Sequence, residues 1–270
     1  KIMTRVITER LTRVITHIIS PENTGFVPNR FIMENIHTLQ GIQAYLDDNP
    51  KQGGLLVALD MYHAFDMCGW QYIKHAMREL GFGEDMMKWM EILYSDEEEH
   101  RPQRRIKING EIHTRSFGIA SGVAQGDPPS PILFLILAEG FTRLLNSKHG
   151  PKGITINGKE YCTTMYADDT TTILKSPKEI KKLYACLDIY RRATGMRINH
   201  TKTEGVPMGK YKAATTDQLP KGIKWATKGK HIIVLGAPIG NDIDTHGYWM
   251  EKHTKLLLKL GRWKMLSRQP

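Results

Sequence analysis

Two aspartates stand side by side in Tyr166-Ala167-Asp168-Asp169, between threonine-rich stretches at residues 161–165 and 170–174. β-Branched residues in runs of this length read as strands, which puts the pair at a hairpin tip. Like charges held next to each other repel, and nothing in the folding of a hairpin calls for both. Two readings fit. The aspartates are ordinary turn residues, or they form a carboxylate pair that a divalent cation such as Mg2+ stabilises through oxygen ligands. A third acid bears on the choice. Residues 54–59, Gly-Leu-Leu-Val-Ala-Leu, are mostly apolar and run straight into Asp60. Such a run reads as a buried strand that delivers a carboxylate at its C-terminal end. A fold that brings this strand end to the hairpin tip gathers three acids, enough to surround two metal ions.

The rest of the chain reads as mixed structure. Apolar residues at helical spacing predict helices over residues 2–19, 32–46, 71–80, 84–94, 132–145, 179–193 and 248–265. Pro21 ends the first. Asn109-Gly110 joins residues 105–108 to 112–117 as a hairpin, and Asn157-Gly158 joins 154–156 to 160–165 as a second. The acidic run 96–99 reads as a solvated loop, and 121–131 as a Gly/Pro-rich loop opening the apolar helix. Strands and helices do not alternate regularly. That favours an α+β fold with an antiparallel sheet and packed helices over a doubly wound parallel one.

Composition narrows the class. At 270 residues the chain is one large domain or two packed subdomains. Its longest apolar run, 132–138, is far short of the roughly 18–20 residues that span a bilayer. No secretion signal opens the sequence, so an intracellular setting is expected. Cys68, Cys162 and Cys186 are scattered without metal-ligand spacing, which points to a reducing compartment. The chain starts at Lys1 in a helical pattern and stops just after another, so it reads as an excerpt of a longer polyprotein.

The net charge of +10 is concentrated: residues 196–270 carry 14 Lys and Arg against five Asp and Glu. Such a segment is either a polyanion-binding surface or a solvated tail. Lys252, Lys255 and Lys259 recur at helical spacing beside Leu256, Leu257, Leu260 and Trp263, as in an amphipathic helix with a cationic face.

These pieces together resemble the reverse transcriptases of non-LTR (LINE-type) retrotransposons. Residues 60–66, Asp-Met-Tyr-His-Ala-Phe-Asp, are similar to a D-x-x-K-A-F-D motif. Residues 125–131 are similar to Q-G-x-P-L-S-P, and 166–169 are the [FY]-A-D-D box. Residues 195–203 are similar to G-L-x-[IL]-N-x-x-K-T, 234–236 to a Y-L-G element, and 25–30 to G-F-x-P-x-R. Six motifs in order span nearly the whole chain.

The resemblance implies a right-hand polymerase palm with partial fingers and the start of a thumb. Fingers would occupy residues 1–52, palm 53–240 and thumb 241–270. It implies RNA-directed DNA polymerase activity with two Mg2+ held by Asp60, Asp168 and Asp169. Phe65 would exclude a ribose 2′-hydroxyl, and Gln125 and Gly126 would lie near the incoming nucleotide. Lys202 would assist pyrophosphate departure, and Arg30 would contact the triphosphate. Partners would be an RNA template, a DNA primer, deoxynucleoside triphosphates and further domains of the polyprotein, including an endonuclease, with a nuclear location. Asp66 is expected to cap the following helix. His63, Ser121, Ala124 and Pro129 depart from the family pattern, which leaves open a catalytically inactive nucleic-acid-binding remnant. A group II intron-type reverse transcriptase is the other alternative.

Overall fold

The computed structural model describes residues 2–266, with side chains to residue 263. Helices α1 (Ile2–Ile18) and α2 (Ile32–Asp48) precede strand β1 (Gly53–Leu59). Helices α3 (Trp70–Glu79), α4 (Glu84–Leu93) and α5 (Ser130–Leu145) follow. Strands β2 (Thr163–Tyr166) and β3 (Asp169–Leu174) lead to helix α6 (Ile180–Thr194). Strands β4 (Glu204–Gly209), β5 (Lys224–Trp225), β6 (His231–Val234) and β7 (Ala237–Gly240) precede helix α7 (Thr245–Leu266). Most expected elements are present with ends shifted by a residue or two.

Five strands form the central sheet in the order β5-β4-β1-β3-β2. All neighbours are antiparallel except β4 and β5. The apolar run of β1 is explained by burial on both faces. Leu55, Val57 and Leu59 enter the larger core, and Leu56 enters a smaller core on the other side. This is the period-two alternation of a strand covered twice.

The larger core holds α5, whose residues are buried nearly all round, and the inner stripes of α1, α3, α4 and α6. Ile7, Leu11 and Ile15 of α1 are buried, each contributing about 1.5–3 kcal/mol by apolar burial. Glu139 of α5 accepts hydrogen bonds from the Ser20 amide (2.9 Å) and hydroxyl (2.7 Å), which ties the end of α1 to this helix. The smaller core packs Leu39, Ile42 and Leu46 of α2 and the β6–β7 hairpin onto the sheet. All three cysteines are buried, and burial pushes the Cys68 and Cys162 thiols up to about 12, so both behave as inert packing.

Three local expectations need correction. Helix α3 starts at Trp70 with Gly69 at its N-cap, so Asp66 lies too far upstream to cap it. Asp66 is exposed, 3.8 Å from the His63 ring. The acidic run is not wholly solvated: Asp96 accepts a 2.7 Å hydrogen bond from Lys74, a buried lysine also held by Glu91 at 2.8 Å. Finally, α7 forms as expected, but Leu256, Leu257, Leu260 and Trp263 are exposed along with its lysines. The expected amphipathic division therefore has no buried side among the described residues. No described helix is long and apolar enough to cross a membrane.

Candidate active site

The sheet register assembles the acids. Leu59 of β1 pairs with Thr170 of β3, so the next step places Asp60 beside Asp169. Asp169 pairs with Tyr166 across the turn that carries Asp168. Burial first, then the charges of Asp168 and Asp60, push the Asp169 carboxyl above its ordinary value. The Asp169 carboxyl thus feels both of the other acids. Among the described residues, none of them has a cationic partner, and no three His, Cys, Asp or Glu converge closely enough to hold a metal by themselves.

The turn is not the left-handed pair that a two-residue hairpin usually takes. Of its central residues only Ala167 has a positive φ, 55°, a conformation that favours glycine. Neighbouring chain holds it there. Residues 22–25 run along the outer edge of β2. The Met165 amide donates to Glu22 O at 2.8 Å, and the Thr24 amide donates to Met165 O at 2.9 Å. Asn35 Nδ2 adds a 2.9 Å bond to the same Met165 oxygen, and its Oδ1 accepts from the Thr24 hydroxyl. Gly25 is packed so closely that a Cβ would stand 2.3 Å from the Ala167 nitrogen. Sequence reasoning missed this brace. Its one signal was the compact Asn23-Thr24-Gly25, polar residues that turn out to be buried.

Phe65 is half-buried and stacks on Phe134 of α5, ring centroids 4.8 Å apart. The loop 121–131 lies across its backbone. Gly122 donates to Cys68 O at 2.9 Å, Val123 donates to Phe65 O at 2.8 Å, and Trp70 Nε1 donates to Gly122 O at 2.7 Å. Gln125 and Gly126 are exposed at the tip of this loop. The departures around them are accommodated. Pro129 holds a φ of −75°, as its ring requires, just before α5. Ser121 donates to Asp66 O at 3.2 Å.

Lys202 is exposed on a turn anchored to the acid strand. The Asn199 amide donates to Asp60 O at 2.7 Å, and Ile198 pairs with Met61. Arg30 is placed otherwise than expected. Its guanidinium donates to the carbonyls of Ser20 (2.6 Å), Asn23 (2.7 Å) and Ile19 (2.8 Å). It closes the C-terminal end of α1, where orphan carbonyls and the helix dipole favour a cation. Those donors are taken, so a triphosphate contact gains no support.

A family model described as reverse transcriptase (RNA-dependent DNA polymerase) matches residues 1–236. The transposon TX1 149 kDa protein of Xenopus laevis is 25% identical over 272 residues, 98% of this chain and 20% of that protein. The Pol polyprotein of the type-1 retrotransposable element R2 of Popillia japonica is 28% identical over 151 residues, 56% of this chain and 24% of that polyprotein. The chain therefore spans about a fifth to a quarter of the length of these relatives. Among solved structures, a Candida tropicalis telomerase in complex with a telomeric RNA fragment superposes with a TM-score of 0.58 at 13% identity. It covers 86% of this chain and 35% of that one. A Candida albicans telomerase gives 0.57 at 11% identity, covering 90% and 38%. At such identities the likeness is one of fold, a polymerase palm. Matched over most of its length, the chain belongs to the reverse transcriptase family, and its relatives place it with the non-LTR retrotransposons.

Proposed function

We propose that this chain is the polymerase core of a non-LTR reverse transcriptase, which extends a DNA primer along an RNA template with deoxynucleoside triphosphates. The observation that carries the reading is the register that sets Asp60 beside Asp169, with no Lys, Arg or His paired to either among the described residues. The family works with divalent metal ions. Here the donor set is hard carboxylate oxygen, which suits Mg2+, and Mg2+ commonly completes its shell with substrate phosphates and water. An acid group that does not close on itself fits that habit. When bound, two Mg2+ ions would activate the primer 3′-hydroxyl and stabilise the leaving pyrophosphate.

The chain's own residues do the rest. Asp60, Asp168 and Asp169 would hold the ions, with substrate phosphates and water completing the shell. Phe65, fixed by Phe134, fills the space a ribose 2′-hydroxyl would need. Gln125 and Gly126 offer the exposed tip of their loop to the nucleotide, its root being seated on Phe65 and Cys68. Lys202, without an acidic partner among the described residues, is available to the departing pyrophosphate. Residues 1–52 serve as partial fingers, 53–240 as palm and 241–270 as the start of the thumb, of which 267–270 lie outside the described residues. Other polyprotein domains, an endonuclease among them, and a nuclear location belong to the same reading.

Primer extension on poly(rA)/oligo(dT) with Mg2+ is the test. Incorporation of dTTP should fall more than about a thousandfold in Asp168→Asn. Absence of incorporation, or incorporation indifferent to that substitution, overturns the reading and leaves a binding remnant.

A further inference from the structure

The balanced charge of the first three quarters of the chain hides one local concentration. Residues 101–117 carry Arg101, Arg104, Arg105, Lys107 and Arg115 against the single acid Glu111. They form a two-rung hairpin in which Gln103 and Arg104 pair with Gly118 and Phe117, and Lys107 and Ile108 pair with Ile112 and Glu111. Nearly every residue from 103 to 118 is exposed, and among the described residues Arg104, Arg105, Lys107 and Arg115 have no carboxylate partner. Ile106, Ile108, Ile112 and Phe117 are also about half exposed or more. An isolated two-stranded hairpin is marginally stable in water, so this one is built to lie against something.

Its root identifies where. The Ile119 amide donates to Pro102 O at 3.1 Å, closing the hairpin. Three residues later Gly122 begins the loop seated on the backbone of Phe65 and Cys68. The hairpin therefore rises from the loop that is seated on the segment following Asp60. Its pairings say what kind of surface it offers. Lys107 stands opposite Ile112, and Glu111 stands opposite Ile108. In both of these pairs an isoleucine faces a charged residue, which breaks up the apolar centre that protein interfaces use. Unpaired cations spaced along an exposed ribbon instead match a phosphate backbone.

We infer that residues 103–118 grip the sugar-phosphate backbone of the template-containing duplex held at the active site. The inference rests on the polymerase reading of that site, but binding tests it without catalysis. Affinity for an RNA/DNA hybrid of about 20 base pairs is measured against salt in an Asp168→Asn background without nucleotides. Replacing Arg104, Arg105 and Lys107 with serine should weaken binding about tenfold or more and flatten the log–log salt slope by about two to three. Replacing Lys107 alone with arginine should leave both unchanged. An unaltered slope and affinity in the triple variant overturns the inference. So does concentration-dependent self-association that Ile108→Ser abolishes while hybrid binding is untouched, since that outcome makes the hairpin a protein interface. Absence of synthesis by the unmutated chain, with the slope change in the triple variant intact, would count against the polymerase reading and not against the hairpin.

Discussion

Two hairpins, one carrying the acids and one rising from the loop seated on Phe65, are stabilised in opposite ways. The one at residues 103–118 has the better turn: Asn109 and Gly110 both take the left-handed backbone, at φ 50° and 92°, that joins antiparallel strands without strain. Its strands are nevertheless exposed and held only at the root. The β2–β3 hairpin has the poorer turn, with alanine where glycine is favoured and two acids in repulsion. It is gripped by the sheet on one side and by residues 22–25 and Asn35 on the other. Local chemistry is sufficient where position is free to adapt. Where position must be fixed, tertiary contacts override local preference, which is how strain persists at functional sites.

The comparison can be broken most severely at Gly25. A methyl there drives into the Ala167 backbone, which no side-chain rotation relieves. Gly25→Ala should cost about 3 kcal/mol in urea unfolding, with loss of primer extension. Stability unchanged would show that the brace is not rigid.

A smaller effect, opposite in sign, is expected at Asp169. Its raised carboxyl means that the ionised form is disfavoured in the metal-free fold. The penalty is absent below the unfolded value of 3.8, grows as pH rises, and is complete above the folded value. Asp169→Asn should therefore stabilise the metal-free protein near neutral pH. The gain should be below about 1 kcal/mol because this carboxylate is only partly shielded and solvent still screens it. It should vanish near about pH 3, and the substitution should abolish synthesis. Thermal midpoints of both proteins across that pH range check the trend, and a gain independent of pH would contradict it. The smallest effect belongs to the other hairpin. Gly110→Ala should disturb its turn yet move the global unfolding midpoint by less than about 0.5 kcal/mol, because little else packs on it.

Much of this was legible in the sequence because it is local. The run ending at Asp60, the threonine strands around Asp168 and Asp169 and the apolar stripe of α1 are short-range patterns. What stayed hidden depends on residues far apart in the chain. Arg30 carries the cation expected of a substrate contact, but only the fold shows it closing α1. Asp96 sits in a run that reads as solvent-facing until Lys74 is seen buried beside it. Asp66 could cap a helix only if the helix began nearer, and the turn at residues 63–69 delays it to Trp70. The exposed leucines of α7 have a helical pattern, and a pattern does not say what covers it.

The links that position the site are made mostly by main chain. Asn199 N–H meets the carbonyl of Asp60, Val123 that of Phe65, and Thr24 that of Met165. Such bonds are indifferent to side-chain identity. A lineage accumulating point substitutions would thus shed its chemistry well before its shape, whereas a single inserted residue or a proline at one of these amides would do the reverse.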